Sequence, residues 1–312
     1  MGGNVFNNRA SSIKRENIEP TLNNYFSELK TLFPKKSNIF NYWYFVKLGS
    51  VGKKSVSGDI DLGIDTINIL DSDMSDASIA EWGIDPEAVR KEQESLASRA
   101  RTSTAEMLRM KAFLKELTKH INQNSTLLHT DETKVSNGNI FGLFPQFDQT
   151  GAQTEYFVQI DWMIGNLDWL KFSYYSSAYP EESNVKGLHR TQLLLSAFQV
   201  AGLSFNHVTG IKDKETNEII ASDPVHALSI LGERLGFEIT NTDAEDYYKL
   251  HDLFLANMSA DDYNRLLVVY FKILDSTRAD IPDNLQEQWR IRKDQLGLTG
   301  KFLPDNSLLR TA

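Results

Sequence analysis

The fold of this chain is decided by residues 48–65, which read LGSVGKKSVSGDIDLGID. A hydrophobic run over residues 42–48 predicts a strand that leads into a Gly-Ser turn. A second short strand then carries Asp59 and Asp61. Because side chains alternate along a strand, two aspartates two positions apart lie on one face. The sequence therefore predicts a pair of carboxylates directed at one point.

Two carboxylates this close repel each other, and a divalent cation between them relieves the repulsion. Mg²⁺ prefers a few carboxylates together with phosphate oxygens of a substrate. The turn at Gly49 and Ser50 suits such a substrate, because its N–H groups and the serine hydroxyl can bind phosphate oxygens. Lys53, in the spacer, has two interpretations. It either neutralises a β- or γ-phosphate or only keeps the loop soluble.

A Gly-Ser turn, a short spacer and an Asp-x-Asp strand flanked by hydrophobic residues resemble the signature of the nucleotidyltransferase superfamily with the DNA polymerase beta fold. That family adds a third carboxylate from a later strand, and residues 157–164, FVQIDWMI, supply Asp161. The spacer is short for the family and leaves little room for a full helix. The later run over residues 161–190 is similar to predicted nucleotidyltransferases of tailed phages.

The resemblance implies an enzyme that moves an NMP from an NTP, such as ATP, to a hydroxyl acceptor and releases pyrophosphate. The acceptor stays open between an RNA end, a protein side chain, a small molecule and a second nucleotide. The alternative from another class is a non-catalytic nucleotide-binding or assembly module that keeps the fold. The intact carboxylates favour the enzyme. The implied catalytic residues, which also bind Mg²⁺ or Mn²⁺, are Asp59, Asp61 and Asp161, and the implied nucleotide-binding residues are Gly49, Ser50 and Lys53.

Composition restricts the class of protein further. The 312 residues include no cysteine, which excludes disulfides, zinc-thiolate sites and thiol catalysis. A formal net charge of -9 argues against extensive non-specific binding of nucleic acid. No apolar run is long enough to span a bilayer, and the N-terminus lacks the pattern of a signal peptide. We expect a cytoplasmic protein without a membrane partner, in the host cytoplasm if a phage encodes it.

The order of the predicted elements gives an α+β chain in three parts. Residues 1–34 form an N-terminal helical segment. Residues 35–172 form the catalytic domain, a mixed β-sheet of the nucleotidyltransferase type with flanking helices and a helical insertion near residues 71–122. Residues 173–312 form a mostly helical domain, to which the resemblance assigns closure over the nucleotide and choice of the acceptor.

Within these parts, N-cap residues, terminating glycines and prolines, and apolar periodicity delimit the elements. Residues 71–76 are expected to form a solvated loop. Strands are predicted over residues 138–147 and 154–164, and a small hairpin over residues 205–220. The predicted helices cover residues 18–33, 85–100, 103–121, 183–202, 223–236, 242–258, 259–274 and 282–296.

Two groups of basic residues each have two interpretations. Arg99, Arg101 and Arg109, with nearby lysines, form either a flank that guides a nucleotide or a solvated helix face. Their spacing favours the solvated face. At the start of a later helix lie residues that either reach phosphates or belong to the helix terminus alone: Lys186, His189 and Arg190.

Overall fold

The computed structural model describes residues 5–99, 103–136, 138–180 and 182–298. The structure is about 49% helix and 17% strand, with a mixed sheet and flanking helices, which confirms the expected α+β class. The described residues divide into two compact units, one ending at Lys171 and the other beginning at Phe172. The expected N-terminal segment belongs to the first unit, which therefore begins before residue 35.

The first unit places short strands and helices around one sheet. A 3₁₀ helix, Pro34–Ile39, follows the first long helix. The strands are β1 (Ile13–Lys14), β2 (Val46–Lys47), β3 (Val56–Ser57), β4 (Ile60–Asp65), β5 (His129–Thr130), β6 (Asn139–Phe147) and β7 (Gln153–Gly165). The helices are α1 (Arg15–Leu32), α2 (Thr66–Ile69), α3 (Asp76–Glu81), α4 (Pro86–Ala97), α5 (Ala105–Asn124) and α6 (Leu167–Ser173), within which the boundary falls.

The main sheet has five strands in the order β2-β4-β7-β6-β5. Strands β4 and β7 run parallel, and the other three pairs are antiparallel. The parallel pair sets Asp61 directly beside Asp161. A separate two-stranded sheet joins β1 to β3, so the start of the chain pairs with the spacer of the motif.

One face of the main sheet is the hydrophobic core of this unit. Ile60, Leu62 and Ile64 of β4 are buried there with the alternate residues of β7. Helix α1 packs on this face, where the Trp162 indole N–H donates to the Tyr25 hydroxyl at 2.7 Å. Because apolar residues alternate along both strands, Asp61 of β4 and Asp161 of β7 lie on the opposite face, which we call the acidic face.

Two predictions in this unit need correction, and a third is confirmed except at its last residue. Residues 42–45 form a turn rather than a strand, because the side chain of Asn41 accepts the N–H of Trp43 and its carbonyl accepts that of Phe45. The expected loop over residues 71–76 is present over residues 71–75, and the short helix α3, which is capped by Ser75, follows it. Helix α5 begins after its cap at Thr104 rather than at residue 103, and it extends to Asn124 rather than ending at residue 121.

The second unit is mostly helical, as expected, but it contains a three-stranded antiparallel sheet where a hairpin is predicted. A 3₁₀ turn, Asp283–Leu285, precedes its last helix. Its elements are α7 (Gly187–Val200), β8 (Leu203–Asn206), β9 (Gly210–Asp213), β10 (Ile219–Ala221), α8 (Pro224–Leu235), α9 (Asn241–Ala244), α10 (Tyr247–Asn257), α11 (Ala260–Thr277) and α12 (Gln286–Arg292).

The helix predicted over residues 242–258 is two helices, α9 and α10. The break occurs at Asp246, whose carboxylate accepts the N–H groups of Tyr248 and Lys249 and caps a new helix. Within the described ranges, no helix combines the length and the apolar character needed to cross a membrane.

Candidate metal centre

Three predicted carboxylates come together on the acidic face. One ligand oxygen from each of Asp59, Asp61 and Asp161 lies within 4.8 Å of the others. Asp61 and Asp161 are direct partners in the parallel pairing of β4 with β7, and Asp59 immediately precedes β4. The three oxygens are close enough to share one cation.

The sequence folds this way because the apolar residues fix the register of both strands. Sliding β4 by one residue would turn Ile60 and Leu62 toward the acidic face and push Asp61 into the core. Burying an unpaired carboxylate in the core costs on the order of several kcal/mol of folding free energy, because the charged group loses its hydration. The hydrophobic alternation thus positions the carboxylates.

The environment disfavours the charged forms of these carboxyl groups. Burial, followed by repulsion from Asp59, raises the pKa of Asp61 to about 7. Burial and repulsion from Asp61 raise the pKa of Asp161 to about 8, against a hydrogen bond from Gln159 that lowers it. A divalent cation bound among these carboxylates would favour the ionised form of all three.

The donor set fits a hard divalent cation. All three ligands are carboxylate oxygens, the type that Mg²⁺ and Mn²⁺ prefer. Asp161 Oδ1 is buried and has no hydrogen-bond partner among the described residues. A buried carboxylate oxygen without a donor is unusual and calls for a ligand. These residues could therefore hold a metal ion, although the oxygens alone do not select Mg²⁺ over similar cations.

The Gly-Ser turn begins beside Asp61. The N–H of Leu48 donates to the Asp61 carbonyl at 2.9 Å, and Gly49 follows with a left-handed φ of 59°. A side chain at this φ would be strained, so the turn requires glycine. Ser50 is exposed, and its carbonyl accepts the N–H of Lys53 at 3.0 Å. The contact of Ser50 and Lys53 with phosphate stays a prediction.

The spacer between the turn and β4 contains no helix, as its length leads one to expect. Two side chains that the sequence did not identify hold it in place. Arg15, the first residue of α1, donates to the carbonyls of Lys54 at 2.9 Å and Lys53 at 3.1 Å. The buried Ser57 hydroxyl accepts the N–H of Gly52 at 3.3 Å, which connects the turn to β3.

Gln159 is the other residue that the sequence did not identify. Its Nε2 donates to Asp161 Oδ2 at 2.8 Å, and the residue is 2% exposed. The signal in the sequence is its position two residues before Asp161, which puts both side chains on the acidic face. A polar residue at that spacing on a buried strand suggests a partner for the aspartate.

The structure gives other partners to the basic residues of the helix starts. In the second unit His189 and Arg190 are fully buried, and Arg190 donates to the carbonyls of Phe172 and Ala244. Lys186 pairs with Asp280 at 3.1 Å. These contacts favour a role in holding that unit together over a role in binding phosphate.

The basic residues around α5 are likewise engaged. Arg109 donates to the Met74 carbonyl at 2.7 Å and pairs with Asp76 at 2.8 Å. Lys115 pairs with Glu92. Arg101 lies outside the described residues. These pairs favour the interpretation of a helix face over a nucleotide-guiding flank.

No model of a protein family matches the chain, and no curated protein matches its sequence significantly.

Proposed function

We propose that this protein is a metal-dependent nucleotidyltransferase with the DNA polymerase beta fold, which moves an NMP from an NTP to a hydroxyl acceptor and releases pyrophosphate. The observation that carries the proposal is the convergence of Asp59, Asp61 and Asp161 beside a turn that starts at Gly49. Phosphoryl transfer needs carboxylates that hold cations next to a backbone suited to phosphates, and both features lie around Asp61 of β4, which pairs with β7 on one side and accepts the N–H of Leu48 on the other.

The carboxylates have distinct roles in this reaction. Asp59, Asp61 and Asp161 would hold the divalent cations, and Asp161 would also take up the proton of the acceptor hydroxyl. When bound, divalent cations stabilise the negative charge that develops on the attacking and leaving oxygens. Asp161 accepts the proton of the acceptor hydroxyl, whose oxygen then bonds to the α-phosphorus. The bond from the α-phosphorus to the bridging oxygen breaks, and pyrophosphate leaves with that electron pair.

The turn supplies the binding of the leaving group. The backbone N–H groups of Gly49 and Ser50 and the hydroxyl of exposed Ser50 bind the terminal phosphates, and the ammonium of Lys53 neutralises their charge. Arg15 holds the carbonyls of the spacer and so limits the freedom of this turn before the nucleotide arrives. The nucleotide is thereby oriented with its α-phosphate toward the carboxylates.

The proposal is tested by transfer of label from each α-³²P-labelled NTP, with Mg²⁺ or Mn²⁺ and a cell extract as the source of acceptors. We expect one class of molecule to acquire label with release of pyrophosphate. Asp61→Asn and Asp161→Asn should each reduce the rate at least about 10³-fold, since each replaces a charged carboxylate ligand with a neutral amide that binds a cation far more weakly. Exposed Asp73→Asn is the control and should transfer at the wild-type rate.

Two results would count against the proposal. Transfer that survives in both Asp61→Asn and Asp161→Asn would show that the carboxylates do not perform it. Binding of NTP by the wild-type protein without release of pyrophosphate under any of these conditions would instead favour the non-catalytic module.

A further inference from the structure

Gln159 holds one oxygen of Asp161 and leaves the other available. The amide Nε2 donates to Oδ2 at 2.8 Å, while Oδ1 has no partner among the described residues. A hydrogen bond to a carboxylate favours its charged form and fixes its rotation. The free oxygen is therefore presented in a defined direction.

The orientation of the Gln159 amide is itself fixed. The backbone N–H of Val5 donates to Gln159 Oε1 at 3.2 Å. An N–H group can bond only to the carbonyl end of an amide, since the other end carries donors. A flipped amide would set two donors against each other at Val5 and two acceptors against each other at Asp161. Val5 thus holds Nε2 toward the carboxylate.

Val5 belongs to an N-terminal strap, residues 5–12, that lies along β7. The N–H of Ser11 donates to the Phe157 carbonyl at 2.7 Å. The buried side chain of Gln146 donates to the carbonyls of Ser12 and Phe157, each at 3.2 Å. The strap is therefore fastened to β7 at the strand position of Phe157 and at Gln159.

We propose that Gln159 is a positioning residue of the metal centre and that the N-terminal strap sets its orientation through Val5. The inference rests on the proposed function only in taking the three aspartates as a metal site. Partners of this kind, which orient a metal ligand without touching the metal, commonly change metal affinity 10- to 100-fold when they are removed.

The first test is the affinity of the full-length protein for Mn²⁺, measured by calorimetry and by the EPR signal of the free ion. Gln159→Met keeps the length of the side chain and removes both hydrogen bonds. It should weaken Mn²⁺ binding about 10-fold. The control is Gln149→Met, at an exposed glutamine in the loop between β6 and β7, which should bind Mn²⁺ as the wild type does.

The second test isolates the strap. Val5→Pro removes the backbone N–H that Gln159 accepts, whereas Val5→Ala keeps it and removes only side-chain atoms. We expect weaker Mn²⁺ binding in Val5→Pro, by about 3- to 10-fold, and no change in Val5→Ala. In the Gln159→Met background, Val5→Pro should have no further effect, because the contact through which it acts is already absent.

Two outcomes would overturn the inference. One is a folded Gln159→Met protein, judged by circular dichroism, that binds Mn²⁺ within about twofold of wild type. The other is an equal affinity of Val5→Pro and Val5→Ala. If Gln159→Met does not fold, the pair at Val5 decides the question alone.

Failure of this inference is distinguishable from failure of the proposed function. Mn²⁺ binding that depends on Gln159 without any nucleotide transfer would sustain the inference and refute the enzyme. Nucleotide transfer by a protein whose Mn²⁺ affinity does not change in the Gln159 and Val5 variants would sustain the enzyme and refute the inference.

Discussion

At the residue scale, the acidic face brings together carboxyl groups that repel one another when they are ionised, and a bound cation would relieve that repulsion. Asp61 and Asp161 are neighbours across the parallel strands, and Asp59 lies within reach of both. Burial and mutual repulsion raise the pKa of Asp61 to about 7 and that of Asp161 to about 8. The metal-free protein therefore carries protons there at neutral pH that a bound cation would displace.

Burial and repulsion of these carboxyl groups make the stability of the metal-free protein depend on pH. Both folded-state pKa values are above the ordinary value of 3.8, so the folded protein binds these protons more tightly than the unfolded chain. Their contribution is present below about pH 4 and is lost as pH rises through 7 to 8. We expect the melting temperature in EDTA to fall between pH 5.5 and 8.5, relative to the double variant Asp61→Asn, Asp161→Asn.

Thermal melts with EDTA and with Mg²⁺ at each pH measure this effect. Added Mg²⁺ should raise the melting temperature of the wild type at pH 8.5 and leave the double variant unchanged, because binding requires ionised carboxylates. A wild-type curve that parallels the double variant across this range would contradict the account of the carboxyl groups.

The buried His189 gives the second unit the opposite dependence of stability on pH. Burial lowers its pKa to about 4, and its Nδ1 accepts the N–H of Lys186 while Nε2 bonds to the Asp280 carbonyl. The folded state keeps the ring neutral, so its contribution is present above pH 6.5 and is lost as pH falls toward 4. The acid range should therefore destabilise the protein.

Urea unfolding at pH 7, 5.5 and 4.5 tests the role of His189. His189→Gln should lower stability at pH 7 by about 1–3 kcal/mol and reduce the loss on acidification. Some loss should remain, because burial also lowers the pKa of His207. An acid dependence as steep in His189→Gln as in the wild type would show that another group is responsible.

At the scale of elements, β4 connects the carboxylates to the turn at Gly49 and Ser50. A Cβ on Gly63 would lie 2.9 Å from Leu48 Cδ1 and 3.2 Å from Leu167 Cδ1. Leu48 also anchors the turn through its bond to the Asp61 carbonyl. A methyl group at position 63 would therefore press on the side chain of the residue that leads into the turn.

Gly63→Ala should consequently affect both stability and nucleotide binding. We expect a loss of about 1–3 kcal/mol in urea unfolding, as for overpacked interiors, and a several-fold rise in KM for the NTP. Gly58→Ala, in the adjoining bend, is the control, since its Cβ would meet nothing within 4 Å. Equal behaviour of the two variants would show that the packing at Gly63 does not position the turn.

The elements around the motif differ in how well the sequence predicts them. Strands β6 and β7 match the predicted ranges within one residue, because alternation over a long run leaves one choice of face. The turn at residues 42–45 was missed because hydrophobic content alone suggests a strand, while the hydrogen bonds of Asn41 decide otherwise. Short helices such as α2 carry too few residues to show a period.

At the scale of the whole molecule, the sequence predicts the carboxylates but not their supports. Asp59, Asp61 and Asp161 are recognisable because metal chemistry requires their residue type and spacing. Gln159 and Arg15 act through contacts with residues that are distant in sequence, such as the bond from Val5 to Gln159. No local pattern encodes such contacts. The α+β class follows from the order of elements, whereas the third strand of the small sheet does not.

The most direct test of the central claim is a crystal structure with Mn²⁺ and a non-hydrolysable NTP, with data collected for the anomalous signal of manganese. We predict anomalous density within about 2.0–2.3 Å of oxygens of Asp59, Asp61 and Asp161, with the triphosphate against the turn at Gly49 and Ser50. Manganese bound away from these carboxylates, or a triphosphate bound elsewhere, would contradict the account.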